Sequence, residues 1–256
     1  IGVTPYEVLL SLFARAADHS AGRQFPHHYA SRRIGIHTIS SVIGAQLPHA
    51  VGAAYAMQYQ RQSGRAVLTT FGDGATSEGE WHESINFAAV HRLPIVFLCE
   101  NNEWAISTPL DKQMGQPDIY KRAEGYGLPG IVVDGMDPIA CYAVVREAMM
   151  RARSGGGPSL VEAKCYRFLS HTTDDDDSTY RSRDEVQERR KTDPVPCFER
   201  LLVKHGILTG EETAALKRSV LEEANDATDR AEAMAYPSAT DLYERVYAEG
   251  WQPWAL

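Results

Sequence analysis

The sequence predicts an α/β protein: a doubly wound, mostly parallel sheet flanked by helices, with a helical C-terminal region. Two observations carry that expectation. Two short β-rich apolar runs, "RAVLTTF" (Arg65 to Phe71) and "LPIVFLCEN" (Leu93 to Asn101), enclose a stretch of helical periodicity from Glu80 to Arg92. A strand–helix–strand order implies parallel pairing through a right-handed crossover. The pattern then recurs: "YKRAEGYG" reads as a helix, "GIVVDG" as a strand, "DPIACYAVVREAMMRARSG" as a long helix closed by glycines, and "PSLVEAKCYRF" as another buried strand.

The flanking segments follow the same logic. Ahead of the first strand, "VTPYEVLLSLFARAADHS" is amphipathic, and "LPHAVGAAYAMQYQRQSG" carries small residues at helical spacing. Gly52, Ala53 and Ala54 there allow a close approach to the sheet or to a helix of another subunit. After Phe168, "LSHTTDDDDSTYRSRDEVQERRKTD" is polar and poor in apolar residues, which predicts a long exposed loop. From Pro194 the pattern is helical again, with i, i+4 charge pairs. Residues 1–256 read as a single α/β domain, with an exposed loop over 169–183 and a helical region over 194–256.

Composition narrows the function. The chain has 256 residues, 43% of them hydrophobic, enough for a sizeable core. With 26 basic against 34 acidic residues its net charge is -8, which argues against nucleic acid or an anionic membrane as the main partner. Cys99, Cys141, Cys165 and Cys197 are scattered without C-x-x-C spacing, so they read as buried thiols in a reducing compartment. No stretch approaches the roughly 18 to 20 continuous apolar residues of a membrane span, and the start does not resemble a signal peptide. The expectation is a soluble intracellular protein, cytoplasmic in a bacterium or in the mitochondrial matrix of a eukaryote. Because the chain opens on Ile1 and runs straight into an amphipathic segment, an N-terminal piece is expected to be missing.

The chemistry concentrates in Gly72-Asp73-Gly74 and Asn101-Asn102. Gly-Asp-Gly falls at a strand's carboxyl end just before a helix, the usual place for a ligand in an open parallel sheet. Glycines let the backbone approach a phosphate, and the N–H groups of the following turn can donate to it. No P-loop or G-x-G-x-x-G pattern is present, and the central carboxylate repels phosphate unless a cation lies between them. Asp73 offers one hard oxygen, and the Asn pair offers an amide oxygen with a backbone carbonyl just beyond it. Mg²⁺ completes such a set with phosphate oxygens and water. Either motif alone is compatible with a tight turn; together on successive strand ends they describe a metal-bridged diphosphate site.

Gly-Asp-Gly followed at this distance by Asn-Asn is the motif of thiamine diphosphate enzymes. Nearly the whole chain resembles the α subunit of the two-subunit decarboxylase component of 2-oxo acid dehydrogenase complexes. "GRQFPHHYAS", "TISSVIGAQLPHAVGAAYA", "FGDGATSEGEWHESINFAA", "ENNEWAIST", "VDGMDP" and "YRFLSHTTDDDDSTYRS" resemble the branched-chain branch more than the pyruvate branch. The resemblance implies the thiamine diphosphate-binding fold, with Mg²⁺ held by the Asp73 and Asn102 side chains and the Trp104 carbonyl. It implies backbone N–H contacts from Gly74 and Ala75 to the diphosphate, and Ser41 and Ile43 on the aminopyrimidine side. Ser40 and Gln46 fall where some relatives bind K⁺, but Val42 and Ala45 depart from that pattern. His171 matches a histidine that reaches the diphosphate where the lipoyl arm enters, and an imidazole there can donate to phosphate or move a proton. Thr172 stands where mitochondrial relatives carry a phosphorylated serine.

In two-subunit members the β subunit contributes the glutamate that activates the cofactor's aminopyrimidine ring, so this chain alone should be catalytically incomplete. The expected function is oxidative decarboxylation of a branched-chain 2-oxo acid, with acyl transfer to a lipoyl-bearing acyltransferase core, by an α₂β₂ enzyme. Pyruvate or acetoin dehydrogenase is the nearest alternative. A non-catalytic nucleotide-binding subunit is the rival from another class, and retention of Asp73, Asn102 and His171 speaks against it.

Overall fold

A computed structural model describes residues 2–26, 28, 30–37, 40–244 and 246. It divides into two compact units, Ile1–Ile39 with Gly210–Leu256, and Ser40–Thr209. In chain order the elements are α1 (Pro5–Leu12), α2 (Gln46–Tyr59), β1 (Val67–Gly72), α3 (Gly79–His91), β2 (Ile95–Asn101), β3 (Trp104–Ala105), β4 (Thr108–Pro109), α4 (Leu110–Gln113), β5 (Gly130–Asp134), α5 (Pro138–Arg153), β6 (Ser159–Lys164), α6 (Arg183–Arg190), α7 (Pro194–Lys204) and α8 (Gly210–Glu232).

The larger unit carries a four-stranded parallel sheet in the order β1-β2-β6-β5. Strand β2 alternates between two cores: Ile95, Phe97 and Cys99 join Leu47, Ala54, Trp81 and Ile85 from α2 and α3, whereas Val96 joins Val161, Ala148 and Ala152 on the α5 side. Helices cover both faces, which explains why this strand is apolar throughout. The doubly wound expectation is borne out. Because β2 and β6 are parallel sheet neighbours but not chain neighbours, the order in which strands are added reverses there, and crevices form at the carboxyl ends of strands at such a point.

Helix boundaries follow local chemistry. Asp137 caps α5 by accepting from the N–H groups of Ile139 and Ala140, and Pro138 occupies the first turn. The helix stops just before Gly155, whose φ of +83° is costly for other residues. In the smaller unit Thr4 and Glu7 form a capping box on α1. Helix α1 lies against α8, with Arg230 stacked 4.5 Å from the Tyr6 ring.

Three expectations need correction. The "YKRAEGYG" helix is instead 3-10 structure over Ile119–Tyr126, with only Ile119 and Ala123 buried. The stretch after Phe168 is not all loop: Ser182 accepts from the N–H of Glu185, acidic Asp184 and Glu185 open α6, and Arg189 and Arg190 close it. Those are helix-end signals without an apolar period. Of the cysteines only Cys99 is buried, and the other three are half-buried. The helical reading of 194–256 holds for α7 and α8, while 245 and 247–256 lie outside the described residues.

Candidate functional site

Asp73 and the asparagine pair meet at the carboxyl ends of β1 and β2. Asp73 opens a 3-10 turn, Asp73–Ser77, and is 1% exposed. The N–H of Asn102 donates to its Oδ1 at 3.3 Å, and Gln113 Nε2 donates to its Oδ2 at 2.7 Å. Both donors are neutral. Among the described residues this buried carboxylate has no cationic partner, and a divalent cation would supply one.

The two asparagines have separate tasks. Asn101 is 2% exposed, donates through Nδ2 to Glu162 Oε1 at 2.7 Å, and accepts at Oδ1 from the N–H of Glu103. Glu162 is fully buried, and its Oε2 accepts from the N–H of Tyr120 at 2.9 Å. This pair fixes the turn that follows β2. Asn102, half-buried, turns its Oδ1 toward the N–H of Trp104 at 3.0 Å, so the structure brings Asp73, Asn102 and Trp104 into one bonded run.

Beyond that run the chain forms a hairpin, β3 against β4, entered through Glu103 at φ +72° and turned at Ile106 at φ +54°. Gly74 lies directly beneath it: a Cβ at 74 would stand 2.7 Å from the Cβ of Ala105. Gly74 and Ala75 are in the first turn after β1, where helical N–H groups lack partners within the helix. Arg122 braces this turn from behind, donating to Thr76 Oγ1 and to its carbonyl at 2.9 and 3.0 Å, while stacking 4.3 Å from the Trp81 ring.

Ser41 and Ile43 precede α2. Ile43 is 60% exposed and Val42 63%, so neither is a core residue of this chain. Their segment runs close to the residues after the Asp73 turn, since a Cβ on Gly44 would touch Glu78 at 3.4 Å. Of the residues at the K⁺ positions, Gln46 donates to the Thr70 carbonyl of β1 and Ser40 accepts from the N–H of Val42. In α2, Ala50 and Ala54 face the chain's own core, whereas Gly52 is exposed with nothing near it.

His171 is exposed, and its link to the site runs through hydrogen bonds. Its N–H donates to Asp175 Oδ2, which also accepts from the Tyr180 hydroxyl. Arg167 donates to that hydroxyl at 3.0 Å, to the Ile106 carbonyl at 2.7 Å and to the Trp104 carbonyl at 3.4 Å. The Tyr180 ring packs 5.3 Å from Trp104. Arg181, 5% exposed, ties Asp177 to the carbonyls of Arg167 and Leu169. Helix α6 adds an ion pair from Arg189 to Glu103 at 2.8 Å. The loop therefore has internal order that its sparse apolar content did not suggest.

A cleft of about 580 Å³ opens beside the site, lined by Asn101, Trp104, Leu110, Met114, Lys164 and Glu185 among others. It lies at the ends of β2 and β6, one strand away from Asp73, which is not on its wall. Burial pushes the Cys165 thiol up to about 12, with Glu100 and Asp73 adding to the effect, and burial likewise raises the Cys99 thiol well above its ordinary value. These thiols stay protonated at neutral pH and offer neither a nucleophile nor a soft ligand.

No group of three His, Cys, Asp or Glu that could hold a metal occurs among the described residues. The oxygens that could serve a cation near Asp73 are its carboxylate, the Asn102 amide oxygen and the Trp104 carbonyl, a hard set that would suit Mg²⁺ completed by phosphate and water. Gln113 adds a second sign: its Oε1 is buried without a partner. Sequence reasoning missed Gln113, Arg122, Arg167 and Glu162. Only Glu162 carried a signal, as a carboxylate inside an apolar strand.

The family model described as "Dehydrogenase E1 component" matches residues 1–240. The 2-oxoisovalerate dehydrogenase subunit alpha of Bacillus subtilis is 44% identical over 249 residues, covering 97% of this chain and 75% of that protein. The 3-methyl-2-oxobutanoate dehydrogenase subunit alpha of Mycobacterium tuberculosis (strain ATCC 25618 / H37Rv) is 46% identical over 215 residues, 82% of this chain and 57% of that one. The human mitochondrial 2-oxoisovalerate dehydrogenase subunit alpha is 39% identical over 247 residues, 96% of this chain and 55% of its own length. The chain thus spans three quarters of the Bacillus relative and little over half of the other two.

Proposed function

We propose that this chain, which belongs to the dehydrogenase E1 component family, is the α subunit of a branched-chain 2-oxo acid dehydrogenase. The observation that carries the reading is the buried Asp73 carboxylate, bonded to Asn102 at the neighbouring strand end and held, among the described residues, by neutral donors. When bound, thiamine diphosphate supplies the electron sink for decarboxylation of a 2-oxo acid.

The chain's own residues prepare the site. Asp73, the Asn102 amide and the Trp104 carbonyl hold Mg²⁺. Gly74 and Ala75 present N–H groups to the diphosphate, which their place in the first turn after β1 supports. Ser41 and Ile43 meet the aminopyrimidine side, and the exposure of Ile43 supports a partner outside this chain's core. His171 serves acyl transfer at the mouth of the site, on a loop braced by Arg167 and Arg181. A β subunit completes the catalytic centre in an α₂β₂ assembly, and a lipoyl-bearing acyltransferase accepts the acyl group. The branched-chain substrate class is that of the relatives, which act by name on 2-oxoisovalerate or 3-methyl-2-oxobutanoate. Among the described residues no helix is long and apolar enough to cross a membrane; we place the enzyme in the cytoplasm of a bacterium or the matrix of a mitochondrion.

The test is decarboxylation by the full-length chain co-expressed with its β partner. The reading expects 3-methyl-2-oxobutanoate to be turned over at higher kcat/KM than pyruvate, with dependence on thiamine diphosphate and Mg²⁺. Preference for pyruvate would move the substrate class, and absence of cofactor dependence would remove the enzymatic reading.

A further inference from the structure

Gln113 is the last residue of the four-residue helix α4, and no motif points to it. Its Nε2 donates both to Asp73 Oδ2 at 2.7 Å and to the Thr108 carbonyl of β4 at 2.9 Å. That fixes the orientation of the amide, because a flipped group would set Oε1 against two acceptors. With Nε2 committed, Oε1 is left buried and without a partner. A buried acceptor with nothing to accept costs about 1–3 kcal/mol, so the arrangement calls for a donor from outside the chain.

We propose that Gln113 is a positioning residue of the cation site, its Nε2 holding the Asp73 carboxylate in place and its Oε1 accepting a hydrogen bond from a water carried by the divalent cation. The inference rests on the reading of Asp73 as a cation ligand. Two features make Gln suitable. Its amide donates to Asp73 Oδ2 while the Asn102 N–H donates to Oδ1, and the two bonds together keep the carboxylate from rotating. It also bridges Asp73 to the hairpin that carries Trp104, so one side chain sets the spacing between two of the ligands. Mg²⁺ keeps several waters, and a bound water is a strong donor placed next to an acceptor that lacks one.

The experiment uses the full α–β enzyme, stripped of metal and titrated with Mg²⁺ by calorimetry at saturating thiamine diphosphate. Gln113→Leu removes both hydrogen-bonding ends at similar volume. The Mg²⁺ concentration for half-saturation is expected to rise about 10- to 100-fold, as for other groups that orient metal ligands, and turnover at saturating Mg²⁺ should return to the wild-type value. Gln113→Glu sets a second carboxylate beside Asp73, so its metal-free thermal midpoint should fall below wild type and its Mg²⁺-induced rise should exceed the wild-type rise. If Gln113→Leu does not assemble, the Gln113→Glu melts alone decide the matter. Wild-type Mg²⁺ affinity in Gln113→Leu, or a turnover loss that saturating Mg²⁺ does not repair, overturns the inference while leaving the cation site standing. So does a Gln113→Glu midpoint indifferent to metal. Metal-independent cofactor binding by the wild type overturns the site and this inference together.

Discussion

Gly74→Ala is the sharpest probe of how the turn after β1 and the β3–β4 hairpin fit together. The added Cβ would sit 2.7 Å from Ala105 Cβ, whereas carbon atoms in contact prefer about 3.5–4.0 Å. Something must move by roughly 1 Å. Ala105 is the end of a β3 strand paired with Thr108 and continuous with Trp104, so the hairpin and the Trp104 carbonyl move with it. Overpacking of this kind costs about 1–3 kcal/mol, and a ligand displaced by about 1 Å can cost a site on the order of 100-fold. Urea unfolding of the α–β enzyme and calorimetric titration with thiamine diphosphate and Mg²⁺ read the two effects separately. The double variant Gly74→Ala with Ala105→Gly removes the opposing methyl, since the next atom, Ala105 Cα, is at an ordinary 3.6 Å. It should recover most of the lost affinity, less about 0.5–1 kcal/mol of stability for a glycine in a strand. Wild-type behaviour of Gly74→Ala, or a double variant no better than the single, would refute the reasoning.

Asp73→Ala should weaken thiamine diphosphate binding by orders of magnitude, and EDTA should do the same to the wild type; calorimetry showing undiminished affinity in either case would dismiss the cation bridge. Arg122→Met leaves the Thr76 carbonyl and hydroxyl without their donor, so the urea midpoint should fall by an equivalent of about 1–3 kcal/mol, and an unchanged midpoint would show that the brace is dispensable. His171→Ala should keep the fold by circular dichroism and lose lipoyl acylation more than decarboxylation measured with an artificial electron acceptor; equal losses would make the histidine a bystander to transfer. Hydrogen bonds from Lys121 and Lys164, each at 2.6 Å, hold the Asp118 carboxyl at about 2. A depressed carboxyl stabilises the fold above its unfolded value near 4, and that contribution is lost as pH falls toward 2. Asp118→Asn should therefore flatten the fall in thermal midpoint between about pH 4 and pH 2, and parallel pH profiles for the two proteins would show the pair to be inert.

What could be read from the chain, and what could not, divides by range of interaction. Strand β2 was legible because a run apolar at every position, Ile95 to Cys99, is required when helices cover both faces of a parallel sheet. Asp73 was legible because flanking glycines at a strand end mark a backbone that something must approach. Helix α6 was not, since no residue of it is buried and its stability comes from the Ser182 cap, charges at both ends and the Arg189–Glu103 pair, none of which leaves a periodic trace. The partners of the site lie further out of reach. Gln113 meets Asp73 across 40 positions of sequence and Glu162 meets Asn101 across 61, and a single amide in a four-residue helix has no local signature. Glu162 differs from Gln113 in one respect. A carboxylate embedded in "SLVEAK" between fully buried neighbours must find donors inside the fold, so the sequence stated a need without naming the partner. The partner proved to be the first asparagine of the pair. The two adjacent asparagines thus do different work at the end of β2: the first is a buried amide that answers Glu162 and anchors the turn, and the second, half-buried, accepts from the N–H of Trp104 through its side chain while its backbone N–H donates to Asp73.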